Sequence, residues 1–221
     1  MTVRKRKFLF IHIPKTGGST FRHHLRMVYG SEDVYFLYQA EEQDRHLREA
    51  MDGHAKAISG HINWHVIEES GILHQEPILF SMVRRPQDQV ISHFMHKRRG
   101  HHWHNRERLK ADFRDFLSTP WSQNWQAAFL SGLHKSNYLD PNPEELQEMA
   151  MENVRKLDFC AATDQLGKAV NLLRHELGWK RHAIEDKNVT SKNHMVEVLH
   201  EEFDKRLGEV NRADRAVYRY C

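Results

Sequence analysis

Phe8-Leu-Phe-Ile-His-Ile-Pro-Lys-Thr-Gly-Gly-Ser-Thr-Phe21 is the stretch on which the fold turns. Its first residues form a short apolar run with the composition of a buried strand. Pro14 has no N–H for a ladder, so the chain must turn there. Gly17 and Gly18 carry no Cβ and let the backbone come close to a ligand. Ser19 and Thr20 are candidate caps for a following helix, whose apolar positions Phe21, Leu25 and Val28 keep helical spacing up to Gly30. Strand, glycine turn and helix N-terminus together offer backbone N–H groups and a positive dipole end to an anion. Lys15 adds a point charge beside two hydroxyls, so the stretch reads as a phosphate-binding loop. It departs from the nucleotide-triphosphatase pattern, in which the lysine follows the glycines; here Lys15 precedes them.

Working outward, the C-terminal neighbours repeat the alternation of strand and helix. Short strands are expected at Val34–Tyr38, Lys56–Gly60, Pro77–Val83 and Leu157–Ala162. The run from Pro77 to Val83 is nearly continuous in apolar residues, as strands buried on both faces are. Helices are expected over Glu41–Met51, from Pro86, over Asp112–Leu117, Ser122–Leu130 and Pro143–Val154, after a cap at Asp164, and through Val196, Leu199, Phe203 and Leu207. The basic, histidine-rich stretch 98–110 shows little periodicity and reads as a mobile loop or a substrate-facing insertion. The pattern predicts an α/β, P-loop-type three-layer fold, a central parallel sheet flanked by helices, with residues 1–221 as one domain.

Composition narrows the class. The 221 residues hold 39% hydrophobic and 29% charged side chains, as a globular chain with an adequate core does, and the formal net charge is only +3. That is too little for wholesale nucleic-acid wrapping, but it permits a local basic pocket. The apolar run behind the basic N-terminal residues is too short and polar for a signal peptide or membrane anchor. With two cysteines, Cys160 and Cys221, a disulfide framework is not expected and a cytoplasmic location is. The 18 histidines mostly scatter. His101-His102-Trp-His104 has no Cys or carboxylate at ligand spacing, so no metal is expected. Oligomeric state is not legible.

Lys15–Thr20, Gly60-His61 and Arg84 onward all follow expected strand ends, where open parallel sheets bind their ligands. Arg84 and Ser92 make a second anion site; Ser92 lies about 9 Å along the helix axis from Pro86, so Arg84 must reach along the helix to share a phosphate with it.

At these residues the chain resembles the sulfotransferases that use 3′-phosphoadenosine 5′-phosphosulfate (PAPS), in particular the heparan sulfate 2-O/6-O-sulfotransferase-like group and its bacterial relatives. Ile11–Phe21 is similar to that group's 5′-phosphosulfate loop, and Met82–Ser92 to its 3′-phosphate motif, an arginine followed by a proline and then a serine. Arg85 stands where the family usually has Asp or Glu, which puts that acid's local salt bridge in question. Ser59-Gly-His61-Ile-Asn-Trp64 resembles the segment with the family's catalytic base. Fainter similarity runs through Asn124-Trp-Gln126, Leu130-Ser-Gly132, Thr163-Asp164 and Asn188–Ser191.

The resemblance implies a sulfuryl transfer from PAPS, leaving the product 3′-phosphoadenosine 5′-phosphate (PAP), to a hydroxyl of a carbohydrate or small metabolite, without metal. It implies that Lys15 stabilises the leaving nucleotide and that Thr16, Gly17, Gly18, Ser19 and Thr20 cradle the 5′-phosphate. Arg84 and Ser92 hold the 3′-phosphate, with Thr190 and Ser191 at its edge. His61 is the expected general base, because an imidazole titrates near working pH; His65 and His12 are its rivals. Competing readings are a P-loop nucleotide-dependent kinase, which wants a lysine after the glycines and an acidic strand end for magnesium, and a non-catalytic nucleotide-binding module.

Overall fold

The structure, a computed structural model, describes residues 6–38, 41–100, 103, 105–138, 140–182 and 194–221. In chain order its elements are β1 (Phe8–Ile11), α1 (Gly18–Tyr29), β2 (Val34–Leu37), α2 (Gln43–Asp52), β3 (Ala57–Gly60), α3 (Trp64–Ser70), β4 (Ile78–Val83) and α4 (Pro86–Lys97). Then come α5 (Arg106–Leu117), α6 (Trp125–Leu130), α7 (Pro143–Val154), β5 (Phe159–Ala162), α8 (Leu166–Leu177), α9 (His194–Val210) and α10 (Arg212–Tyr220). The strands form one five-stranded sheet, all parallel, in the order β2-β3-β1-β4-β5. This is the α/β fold that the alternating pattern predicts.

Side-chain alternation on β1 divides the molecule into layers. Leu9 and Ile11 face one way, into a core shared with Leu47 of α2, Trp64 of α3, Phe129 of α6, Leu146 of α7 and Val217 of α10. Phe8 and Phe10 face the other, packing with Phe21 and Leu25 of α1, Phe80, and Leu173 of α8. Helices α4, α5 and α9 build a third core from Val90, Phe94, Phe113 and Phe203. All of β1 is buried on both faces, which explains its unbroken apolar run.

β1 pairs with β3 on one side and β4 on the other, with Phe8 opposite both Ala57 and Ile78. The C-terminal ends of these three strands are therefore adjacent, and the loops leaving them open on one edge of the sheet.

Several local expectations change. Stretch 98–110 is not loop throughout, because α5 begins at Arg106. Asn105 caps it by accepting from the Arg108 N–H at 2.8 Å, and Leu109 and Phe113 turn into the third core. Polar residues on the outer face had hidden that stripe; His101, His102 and His104 lie outside the described residues. Ser19 and Thr20 do not cap α1, whose N-cap is the left-handed Gly17 (φ 84°) without a side-chain bond. Asp164 lies in a short 3-10 turn ahead of α8 and makes no cap there. Ser122 ends another 3-10 turn, and α6 starts only at Trp125.

The two cysteines are bonded to each other. Cys160 in β5 and Cys221 after α10 form a disulfide between residues 61 apart in sequence, with Cα atoms 5.1 Å apart. The low cysteine count had pointed the other way. Among the described residues, no helix is long and apolar enough to cross a membrane.

Candidate active site

The loop after β1 is held in shape from behind. Thr16 is fully buried; its hydroxyl donates to the Ile13 carbonyl at 2.8 Å, and its own carbonyl accepts from the Thr163 hydroxyl at 2.7 Å. The same Thr163 oxygen lies 2.9 Å from the Val83 carbonyl, so one side chain links the loop to the end of β4. Gln89 on α4 donates to the Pro14 carbonyl at 3.2 Å. Under these restraints Lys15 takes a left-handed conformation, φ 71°. A non-glycine residue held there costs on the order of 1 kcal/mol or more, and such strain concentrates at ligand clamps. Gly18 has a different reason to lack a side chain. A Cβ there would fall 1.9 Å from the His12 Nε2, so the first turn of α1 lies directly against that imidazole.

In front of the loop is a cleft of about 460 Å³, within the ~300–1,000 Å³ of small-molecule sites. Lys15, Gly17, Gly18 and Ser19 form one wall, and Arg84 and Ser92 another. His61 faces the same space, so the three strand ends converge as their order in the sheet requires. Thr16 and Thr20 stand behind this rim, both buried. Thr190 and Ser191 lie outside the described residues.

The lining also holds residues that sequence reasoning passed over: Arg22, Tyr38, His93 and His96. Arg22 is four residues after Gly18 and His96 four after Ser92, so each shares a helix face with a residue already singled out. That spacing was the available signal. Arg22 lies over the Tyr38 ring, 5.3 Å from its centre.

Electrostatically the cleft is one-sided. Its lining among the described residues contains Lys15, Arg22 and Arg84 and no carboxylate. The Lys15 ammonium is pushed below its usual value by burial, with Arg84 and Arg99 adding to the effect. His61 is lowered to about 4, first by burial and then by Lys135, Arg22 and Lys15. His93 also falls to about 4, mainly through burial, and Lys15 leads the lowering of His96. His61 and His93 are therefore neutral at pH 7. The site is built for an anion.

The rival histidines separate. His65 lines a different cavity, about 320 Å³, with Asn63, His134 and Lys135. His12 follows β1 directly and is in the cleft wall, but it is committed. Its Nδ1 is 2.9 Å from the Tyr38 hydroxyl, and burial holds its pKa well below the ordinary value. His61 lies beside both, its ring centre 4.7 Å from that of His12 in a tilted arrangement and 4.7 Å from that of Tyr38 edge-on.

At the second anion centre, the Arg84 guanidinium donates to the Lys15 carbonyl at 3.4 Å, tying the two walls together. Arg85 turns outward to Asp204 on α9 at 2.6 Å and lies 3.9 Å from Asp88. Reversing the charge at this position therefore leaves an ion pair, made with other partners.

A parallel sheet with a glycine loop after its central strand, and two cationic centres at adjacent strand ends, gives an α/β protein with a cleft suited to an anionic ligand. Over residues 1–221 the sequence matches the family described as "Sulfotransferase family"; the chain belongs to that family. Among solved structures it is similar to a mouse sulfotransferase, SULT7A1, complexed with PAP, at 12% identity and TM-score 0.52 over 98% of this chain and 89% of that one. It is also similar to a sulfotransferase from Alicyclobacillus acidocaldarius, at 13% identity and TM-score 0.47 over 98% and 97%. At such identities the likeness to the mouse protein is one of fold. Among curated proteins none matches the chain.

Proposed function

We propose that the protein, with residues 1–221 as one catalytic domain, transfers a sulfuryl group from PAPS to a hydroxyl of a carbohydrate or small metabolite. One observation carries this reading. A single cleft without a carboxylate in its described lining holds two cationic centres, Lys15 with the loop and Arg84 with Ser92, and a neutral histidine between strand ends. A donor with phosphate at its 3′ end and phosphosulfate at its 5′ end needs two such centres. PAP in the SULT7A1 complex is consistent with that donor.

The donor supplies an activated sulfuryl group; the chain supplies position and charge. The N–H groups of Gly17, Gly18 and Ser19 at the start of α1 receive the 5′-phosphate. Thr16 and Thr20 act from behind, keeping the loop in shape. Arg84 and the Ser92 hydroxyl hold the 3′-phosphate, and Thr190 and Ser191 extend that edge. His61 accepts the proton of the acceptor hydroxyl as its oxygen bonds to sulfur. As the bond from sulfur to the bridging oxygen breaks, Lys15 stabilises the negative charge left on the nucleotide. No metal enters this scheme.

The test is transfer of radiolabelled sulfate from PAPS across a panel of hydroxylated acceptors, with Lys15→Ala and His61→Ala as controls. Label reaching an acceptor with wild type and collapsing with both variants supports the reading. Label that never leaves the donor overturns it in favour of a non-catalytic nucleotide-binding module. Family membership counts against the kinase reading, as does the absence of a carboxylate from the described cleft lining, where a kinase would hold magnesium.

The cytoplasmic placement rests on cysteine scarcity, and the Cys160–Cys221 bridge weighs against it because cytosolic thiols are kept reduced. Counting free thiols in protein alkylated at cell lysis decides between them.

A further inference from the structure

We propose that Gln126 is a positioning residue for the 3′-phosphate arginine, and that Asp214 fixes the orientation of its amide. The inference rests on the role given to Arg84 above.

Arg84 is the first residue beyond β4. The pairing of β4 with β1 ends at Ser81 and that with β5 at Val83, so neither strand supplies partners for the Arg84 peptide groups. The Gln126 side chain supplies them instead. Its Oε1 accepts from the Arg84 N–H at 2.8 Å, and its Nε2 donates to the Arg84 carbonyl at 2.8 Å. One side-chain amide thus imitates the next strand of the sheet. Gln126 is fully buried and does not line the cleft, so it acts only through Arg84.

A primary amide can sit either way round. Flipped, Gln126 would set N–H against N–H and carbonyl against carbonyl at Arg84. The second Nε2 hydrogen distinguishes the two arrangements: it points to Asp214 Oδ2 at 3.4 Å. Asp214 is also fully buried, and its Oδ1 accepts from the Ala127 N–H at 2.7 Å. Burial raises the Asp214 carboxyl to about 6, so at pH 7 it is mostly ionised; in that form it accepts and cannot donate, and it selects the amide orientation that Arg84 requires. Asn124 in turn accepts from the Ala213 N–H at 3.0 Å and pins the start of α10, which carries Asp214.

The test measures binding of PAP and of adenosine 5′-monophosphate by calorimetry to wild type, Gln126→Met and Asp214→Asn, with thermal melts of each. Wild type should prefer PAP. Gln126→Met should lose at least ~10-fold of that preference while 5′-monophosphate binding changes within about twofold, since one or two hydrogen bonds are at stake. Asp214→Asn should lose about threefold, and it decides the matter if Gln126→Met does not fold. Equal weakening of both ligands, or an unchanged preference in the folded variants, overturns the proposal and leaves the donor reading standing. If wild type shows no preference for PAP, the role of Arg84 falls, and this inference with it.

Discussion

The two anion centres of the cleft are built in opposite ways. The 5′ loop is local in its parts: strand, turn and helix start occur within Phe8–Phe21 and His12 lies against Gly18, while Thr163 and Gln89 brace it from outside. The 3′ centre is assembled from afar. Arg84 is held by Gln126, 42 residues on, and Gln126 by Asp214, 88 residues further. A local site is specified by its own residue types; a distant one depends on how the whole chain packs.

The largest effect is expected where distant supports of both centres meet. Cys160 lies three residues before Thr163, which braces the loop, and Cys221 seven after Asp214, which braces Gln126. Opening a closed loop of this size releases about 4 kcal/mol by the chain-entropy relation. Reduction, or Cys221→Ser, should lower the denaturation midpoint in urea accordingly. An unchanged midpoint would show that α10 docks without the bridge.

Lys15→Ala strikes the local side. It removes the charge opposed to the leaving oxygen and should lower kcat by ~10²–10³, read as initial rate at saturating donor. Gly18→Ala should follow closely. Its Cβ meets the His12 ring, and a shift of about 1 Å in the loop costs ~10²-fold in rate; a Gly18→Ala enzyme with normal kcat would contradict the packing described. On the distant side, Arg84→Met should cut PAP affinity by ~10–100-fold, the worth of a charged hydrogen bond, and leave adenosine 5′-monophosphate nearly untouched. That contrast between ligands would sharpen the division between the centres.

The smallest effect is on pH. His61 must be neutral to accept a proton, and its value in the free enzyme is about 4 because of burial and nearby cations. The acid limb of kcat/KM, which reports the free enzyme, should therefore fall near pH 4. Bound donor brings negative charge to Lys15 and Arg22, raising the His61 value, so the limb of kcat should lie at higher pH. A kcat/KM limb near 6.5 would mean that the base is a more exposed histidine.

This contrast also explains what could be read in advance. The alternating strands and helices, the loop, Arg84, Ser92 and His61 are all signalled within a few residues of a strand end, and each was legible. Arg22 and His96 were half-legible, one helical turn from residues already noted. Gln126 and Asp214 were not: a glutamine that completes a sheet edge looks like any other until β4, α6 and α10 are packed. The cysteine pair was misjudged for the same reason, since scarcity says nothing about two residues that the fold brings within 5.1 Å. Only the second half of helix α5, Asp112–Leu117, was legible; its first turns were missed because their outward face is charged, as in the Arg108–Asp112 pair at 3.1 Å.

The central claim is that one cleft serves a nucleotide carrying negative charge at both ends. Calorimetric titration with PAP against ATP tests it most directly. The account predicts PAP binding at least ~100-fold tighter than ATP, from one added charge-assisted site and the lack of a described carboxylate in the cleft wall to hold magnesium. ATP binding as tightly as PAP, or more tightly, would contradict it.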